Sequence, residues 1–343
     1  MQRVRGIAAA AIATVALAGC SSSHPRGADH TIAAAPSSLA SSASAAASSS
    51  AARSSRPAAS SSAAKTSSTP RTSSAARTSS AAPAHPSHAA PPSGPVPRFD
   101  HIVVVVEENR SYADIIGNSA APYLNSLASG GALFTRSYAL THPSEPNYLA
   151  LFSGGTHGLT DDSCPHSYAA PNLGSQLLGA GLSFAGYSDS MPSVGFTGCG
   201  SGPYARKHNP WVNFPNVPAS DNRTLSSFGS NYAALPTVSF VIPNLDHDMH
   251  DGGVAAGDSW LKAHLDGYAR WAKTHNSLLI VTWDEDDRSA GNHITTLFYG
   301  ASVKVGRYAE RINHYRVLHT LEAAYGLGAL GGGGAAAITD VWG

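Results

Sequence analysis

None of the chain's 27 aromatic residues lies before Phe99, although the chain is 343 residues long. The same first stretch is nearly free of acid. Asp29 is its one carboxylate, against eight basic residues at Arg3, Arg5, Arg26, Arg53, Arg56, Lys65, Arg71 and Arg77. From Ser21 to Pro97 the sequence is Ser, Ala, Thr and Pro with scattered Arg, and it has no long aliphatic run. Such a segment cannot bury enough apolar surface to offset its chain entropy. Residues 21–97 therefore read as a disordered linker, a flexible stalk. The folded unit is 98–343, ample for one domain with a substantial core. The whole chain has zero formal charge, but the folded unit keeps 14 bases against 21 acids. That acidic balance argues against a nucleic-acid grip based on net charge. Gly331 to Gly334 has no Lys-Ser/Thr after it, which removes the case for a nucleotide cradle.

Cysteine is scarce too: Cys20, Cys164 and Cys199. Arg3 and Arg5 precede an apolar run from Ile7 to Leu17, followed by Ala18-Gly19-Cys20. A positive flank, a short apolar segment and small residues make a secretory signal, and the run is short for a membrane span. Leu17-Ala18-Gly19-Cys20 resembles a bacterial lipobox, with residues 1–20 as a lipoprotein-type signal peptide and Cys20 as the lipidation site. This implies an exported protein facing outward, held at the cell membrane by its N-terminal lipid, since two or more acyl chains anchor stably. Removing Cys20 leaves an even pair in an exported domain, so a Cys164–Cys199 disulfide is expected. A zinc site using His166 or His208 is the alternative, and it lacks paired ligand spacing.

In the folded part, apolar β-branched runs alternate with helical patterns. Strands are expected at His101–Val106, Ala132–Tyr138, Thr237–Ile242, Ser277–Trp283 and Ile294–Tyr299. Helices are expected at Pro122–Ala128, Asn147–Phe152, Leu173–Leu178 with Asn172 as cap, Ser259–His275 and His314–Tyr325. Trp260 and Trp271 sit at helical spacing and read as core. The pattern is an α/β unit with a mostly parallel central sheet flanked by helices. Polar clusters end the apolar strands: Glu108-Asn109 after the first, Asp246 to Asp251 after Ile242, and Asp284-Glu285 after Trp283. Ligands of open parallel sheets bind outside the strand carboxyl ends, so the three clusters should meet in one crevice. Unpaired carboxylates there would repel and raise one another's pKa. A hard or borderline divalent cation would resolve that conflict.

Four segments carry a resemblance: HIVVVVEENRS (His101 to Ser111), HPSEPNY (His142 to Tyr148), IPNLDHDMHD (Ile242 to Asp251) and TWDE (Thr282 to Glu285). Together they resemble the bacterial phosphoesterase family of secreted acid phosphatases and non-haemolytic-type phospholipases C, within the alkaline-phosphatase superfamily. The resemblance runs from about Phe99 to the C-terminus and implies an alkaline-phosphatase-like fold. It implies that Glu108, Asn109, Ser144, Asp284 and Glu285 hold a divalent metal ion, one ion rather than two. It makes Ser144 the nucleophile and gives His250 and His293 phosphate binding or proton transfer, with His142 and Asp251 beside the substrate. Asp246-x-x-x-His250 also has the spacing of a second-metal site in two-zinc relatives. Arg136, Arg206, Lys207 and His208 are candidates for a headgroup rim, although surface charge is the commoner role. Asp286, Asp287 and Arg288 read as an exposed loop.

The chemistry is consistent with these residue types. Phosphoryl transfer needs positioning and charge stabilisation, and a serine hydroxyl needs a cation or base to become a nucleophile. The expected activity is that of an exported phosphomonoesterase, with a phospholipid headgroup such as a phosphoinositide as a plausible substrate. A phospholipase C-type phosphodiesterase is the alternative, and a silent surface-binding module is a third reading against which the intact nucleophile and ligand positions count.

Overall fold

The structure, a computed structural model, describes residues 95–343. The signal segment, Cys20 and the linker up to residue 94 lie outside the described residues. The chain forms β1 (His101–Glu107), α1 (Tyr112–Ile115), α2 (Pro122–Gly130), β2 (Ala132–Tyr138), α3 (Ser144–Ser153), α4 (Leu173–Gly179) and β3 (Phe184–Ser188). A small ribbon of β4 (Gly200–Ser201) and β5 (Tyr204–Ala205) follows, then β6 (Asn222–Thr224), β7 (Val238–Ile242) and α5 (Val254–Ala272). The last elements are β8 (Ser277–Trp283), β9 (His293–Tyr299), β10 (Gly306–Asn313) and α6 (His314–Tyr325).

Eight strands make one sheet in the order β10-β2-β9-β8-β1-β7-β3-β6. Every neighbouring pair is parallel except those of β9, which runs antiparallel to β2 and β8. The mostly parallel α/β sheet read from the sequence is therefore observed. The period-two geometry of a strand sends alternate side chains to opposite faces. Ile102, Val104 and Val106 pack with Phe152 of α3 and Leu318 of α6, while Val103 and Val105 pack with Leu261 and Tyr268 of α5. A central strand covered on both faces has no solvent side, which is why β1 is continuously apolar. Val96 is also buried in this core, so the packed chain begins slightly before the compositional boundary at 98.

Three differences from the sequence reading have physical causes. First, α3 starts at Ser144, not beyond Pro146. A proline in the first turn lacks an N–H that would have no intrahelical partner there anyway. Second, β3 went unread because Gly186 interrupts its pattern. The Trp211 ring lies 2.1 Å from where a Cβ on Gly186 would stand, so any side chain would displace it. Third, β10 is an edge strand with a charged, alternating surface, the usual way of blunting an open edge. No helix among the described residues is long and apolar enough to cross a membrane.

Cys164 and Cys199 are bonded, with Cα atoms 5.9 Å apart across 35 positions of chain. Closing a loop of that length restricts the unfolded chain by roughly 3–4 kcal/mol. Cys164→Ser and Cys199→Ser should each lower the unfolding free energy by up to that amount, and the double variant should match either single one. Denaturant melts of the three proteins check this, and additive losses would contradict it.

Candidate active site

The three acidic clusters meet through backbone hydrogen bonds just past the strand ends. Asp284 N donates to Glu107 O at 3.0 Å, which extends the β1–β8 pairing by one step. Glu108 N donates to Asp248 O at 2.7 Å and so ties in the loop after β7. Asn109 turns the chain with φ at 47°, a left-handed conformation that Asn tolerates better than most residues. In that pose its backbone N donates to Asp284 Oδ1 at 3.2 Å and its amide nitrogen to Glu285 Oε1 at 2.9 Å. The side chain of Glu107, just before Glu108, is fully buried, and neither of its carboxylate oxygens has a hydrogen-bond partner.

Ser144 opens α3 and is buried, and its Oγ donates to Glu108 Oε2 at 3.0 Å. One turn later Tyr148 donates its hydroxyl to Glu108 Oε1 at 2.5 Å. Asn147 fixes the approach to the helix by accepting from Leu140 N and Thr141 N. The five residues expected to form the metal set thus make two hydrogen-bonded groups, Ser144 with Glu108 and Asn109 with Asp284 and Glu285, which are joined through the Glu108–Asn109 peptide.

The structure adds two residues that the sequence reading did not place there. His208, a headgroup-rim candidate by sequence, is fully buried, with Nε2 3.1 Å from Glu108 Oε1 and Nδ1 3.4 Å from Asp248 Oδ2. Glu108, His208 and Asp248 bring one ligand atom each within 4.8 Å of the others. Asp246, offered for a second-metal pairing with His250, is exposed, and Asp248 two residues on takes the buried position. Asp248 lies inside the IPNLDHDMHD segment, and the Arg206-Lys207-His208 run was visible as a basic cluster. Burial, which singles out the functional members, was not visible.

Electrostatics supply the test of whether a cation fits. Burial pushes the carboxyls of Asp248 and Asp284 up to about 7. Burial and then the Asp284 charge push Glu285 up to about 8. Glu108 rises well above the usual carboxylate range through burial, then the charges of Asp284 and Asp248. His208 falls well below the usual imidazole range, chiefly by burial. Asp248 Oδ2, Asp284 Oδ2, Asn109 Oδ1 and His208 Nε2 are buried without a hydrogen-bond partner. Unpartnered oxygens and a neutral imidazole nitrogen around crowded carboxylates are a donor set suited to a divalent cation.

A pH dependence follows. These carboxyls hold protons more tightly in the folded domain than in the unfolded chain. Their stabilising contribution in metal-free protein is fully present below about pH 4 and is lost as pH rises through about 7 to 8. Metal-free domain should therefore melt at a lower temperature at pH 8 than at pH 5, and excess divalent ion should reverse the difference. Calorimetric scans at both pH values, with and without the ion, check this.

The remaining candidates occupy the rim. His142 lies between two carboxylates, Nδ1 2.8 Å from Glu285 Oε2 and Nε2 3.2 Å from Asp286 Oδ1. Asp286 is not part of an exposed loop: it is fully buried and accepts from the backbone of Arg288, Ala290 and Asn292. His250 is partly exposed, 2.7 Å from Asp251 Oδ1 through Nδ1, with its ring centroid 6.4 Å from that of His208. His293 lies at the start of β9, stacked on Tyr112 and Tyr138, with Nε2 3.0 Å from Thr135 O. No hydrogen bond among the described residues joins it to Ser144 or the carboxylates. Arg206 is buried and donates to Thr197 O, His166 O and Asn213 Oδ1, which makes it a structural tie and not a rim cation. A separate cavity of about 700 Å³ lies beside β3 and β6 and contains none of these residues.

Comparison with known proteins gives the family. The phosphatidylinositol-3-phosphatase of Mycobacterium tuberculosis is 59% identical over 252 residues, covering 72% of this chain and 84% of that protein. An acid phosphatase of Aspergillus fumigatus is 30% identical, over 68% of this chain and 56% of that longer protein. A crystal structure from the alkaline phosphatase superfamily of Vibrio parahaemolyticus aligns at a TM-score of 0.49 and 14% identity, over 68% of this chain and 67% of that one. The model of the Phosphoesterase family matches residues 117–328. On that match and the mycobacterial relative, the chain belongs to the Phosphoesterase family and is a phosphoric ester hydrolase.

Proposed function

We propose that the protein is an exported, membrane-anchored, metal-dependent phosphomonoesterase with Ser144 as its nucleophile. The observation that carries this reading is the Ser144 hydroxyl at the start of α3, held at 3.0 Å by Glu108 within a nest of buried carboxylates. A divalent cation held by Glu108, Asn109, Asp284 and Glu285, with His208 and Asp248 in reach, would lower the pKa of the hydroxyl and offset charge on the phosphoryl oxygens.

The chain's own residues do the rest. Glu108 Oε2 accepts the hydroxyl proton as Oγ attacks phosphorus in line with the departing alcohol, and returns it to Oγ when water releases phosphate. His250, held at Nδ1 by Asp251, gives the proton of its imidazolium Nε2 to the leaving alkoxide, then takes one from the water that releases phosphate. Histidine suits this exchange at mildly acidic pH. His142 and His293 complete the proposed substrate-facing set. The bond from His293 to Thr135 O places its proton on Nε2 in the neutral form and leaves Nδ1 as an acceptor.

The substrate we propose is the phosphate monoester of a phosphoinositide, phosphatidylinositol 3-phosphate. The 59% identity to a protein of that activity supports it. Turnover of phosphatidylinositol 3-phosphate vesicles and an aryl phosphate is to be compared with that of a phosphocholine diester, each with and without chelator. Monoester turnover abolished by chelator is expected. Faster cleavage of the diester would favour the phospholipase C reading, and no turnover of any substrate would favour the binding-module reading.

A further inference from the structure

Lys207 is the residue that neither the metal set nor the proton-transfer set uses, although it adjoins His208. Its Nζ lies 2.8 Å from Asp162 Oδ2, and both side chains are about three-quarters buried, at 21% and 26% exposure. Asp162 uses its other oxygen to accept from Glu145 N at 2.9 Å. Glu145 follows Ser144 in the first turn of α3. One carboxylate therefore clamps the lysine ammonium against the helix end that presents the nucleophile. The Lys207 charge also opposes the rise in Glu108 and Asp248 and helps depress His208, which places it within electrostatic reach of the buried centre. Arg206, its neighbour, is spent on carbonyl oxygens.

An ion pair that solvent still reaches and screens adds little to stability. Holding a lysine beside a serine nucleophile at a helix N-terminus has a clearer chemical use. A phosphoryl group on Ser144 brings negative charge to that helix end, and a compact, three-donor ammonium there meets it as a point charge. We propose that Lys207 is a catalytic residue that binds the phosphoryl oxygens of the substrate and of the product phosphate, with Asp162 as the positioning residue that holds it in place. The proposal rests on the reading that the phosphoryl group sits at Ser144, and its test is chosen so that the two can fail separately.

The experiment measures inorganic phosphate binding by titration calorimetry, together with aryl phosphate kinetics, on full-length protein loaded with divalent ion. The parent, Lys207→Ala, Lys207→Arg and Asp162→Asn are compared. Asn at 162 keeps an acceptor for Glu145 N but removes the charge pair, so it isolates what the ion pair does for structure. Lys207→Ala should weaken phosphate binding at least tenfold and lower kcat/KM about a hundredfold. Lys207→Arg should recover most of both, and Asp162→Asn, which loosens the lysine but keeps its charge, should weaken phosphate binding by a clearly smaller factor than Lys207→Ala, about threefold. Melting temperatures within a few degrees of the parent would verify folding. If Lys207→Ala binds phosphate as the parent does, or if Lys207→Ala and Asp162→Asn lose affinity equally, the lysine serves the ion pair and the proposal is wrong. If Lys207→Ala fails to fold, the Arg variant decides: a folded Lys207→Arg protein without phosphate affinity would overturn the proposal. A parent that neither binds phosphate nor turns over the monoester would instead refute the phosphatase reading.

Discussion

Ser144→Ala keeps the fold and most of the metal affinity while kcat falls by at least a thousandfold. The hydroxyl is buried and makes one hydrogen bond, to Glu108. Its removal leaves a small void at a helix start whose cap and backbone contacts belong to other atoms, such as the Asn147 side chain. The structural cost is therefore modest, but every catalytic cycle in the proposed mechanism passes through that oxygen. A thousandfold loss is ~4 kcal/mol of barrier, since each 1.36 kcal/mol is tenfold in rate. Circular dichroism and a melting curve alongside the kinetics distinguish lost chemistry from lost fold. A folded variant with near-parental turnover would refute the serine mechanism.

Glu108→Ala is expected to remove both activity and bound metal. Glu108 is the point at which the two halves of the site join: Oε2 takes the Ser144 hydroxyl, and Oε1 faces Tyr148 and His208. With Glu108 gone, the nucleophile loses its orienting partner and the cation loses a ligand common to both groups. Metal analysis of the purified variant should show occupancy well below the parent, with partial recovery of turnover in excess divalent ion. Tyr148→Phe is the contrasting case. Tyr148 bonds Glu108 but is no metal ligand, so metal occupancy should persist while kcat falls about tenfold, the cost of one charge-assisted hydrogen bond. Full metal occupancy in Glu108→Ala would contradict the placement of the cation.

The sheet was legible because its central strands are covered on both faces, which leaves β1, β7 and β8 as buried, mostly apolar runs. The acidic clusters were legible for the same reason, each one beginning where such a run stops. The edge strand β10 was not legible, since one side of its pleat is exposed and charged and the other is mostly only half-buried, which dilutes the apolar signal. His208 was missed for a related reason. It sits in a short 3-10 turn after the β4–β5 ribbon, far in sequence from any apolar strand, and only tertiary packing carries it to Glu108. Asp248 was within a noted motif, yet spacing alone favoured Asp246. The backbone turn that exposes Asp246 and buries Asp248, with Met249 at a φ of 77°, has no period to read. Asp286 shows the limit from the other side. Its polar neighbours suggested a solvated loop, but its carboxylate is the buried acceptor around which that loop folds.

The most direct test of the central claim is the configuration at phosphorus. An isotopically chiral phosphate monoester is turned over in the presence of an acceptor alcohol, and the transferred phosphoryl group is analysed. Attack by Ser144 followed by attack of the acceptor on the phosphoserine makes two in-line displacements, so the account predicts net retention. Net inversion would mean that the acceptor attacks the substrate directly, with no covalent intermediate on Ser144, and would contradict it.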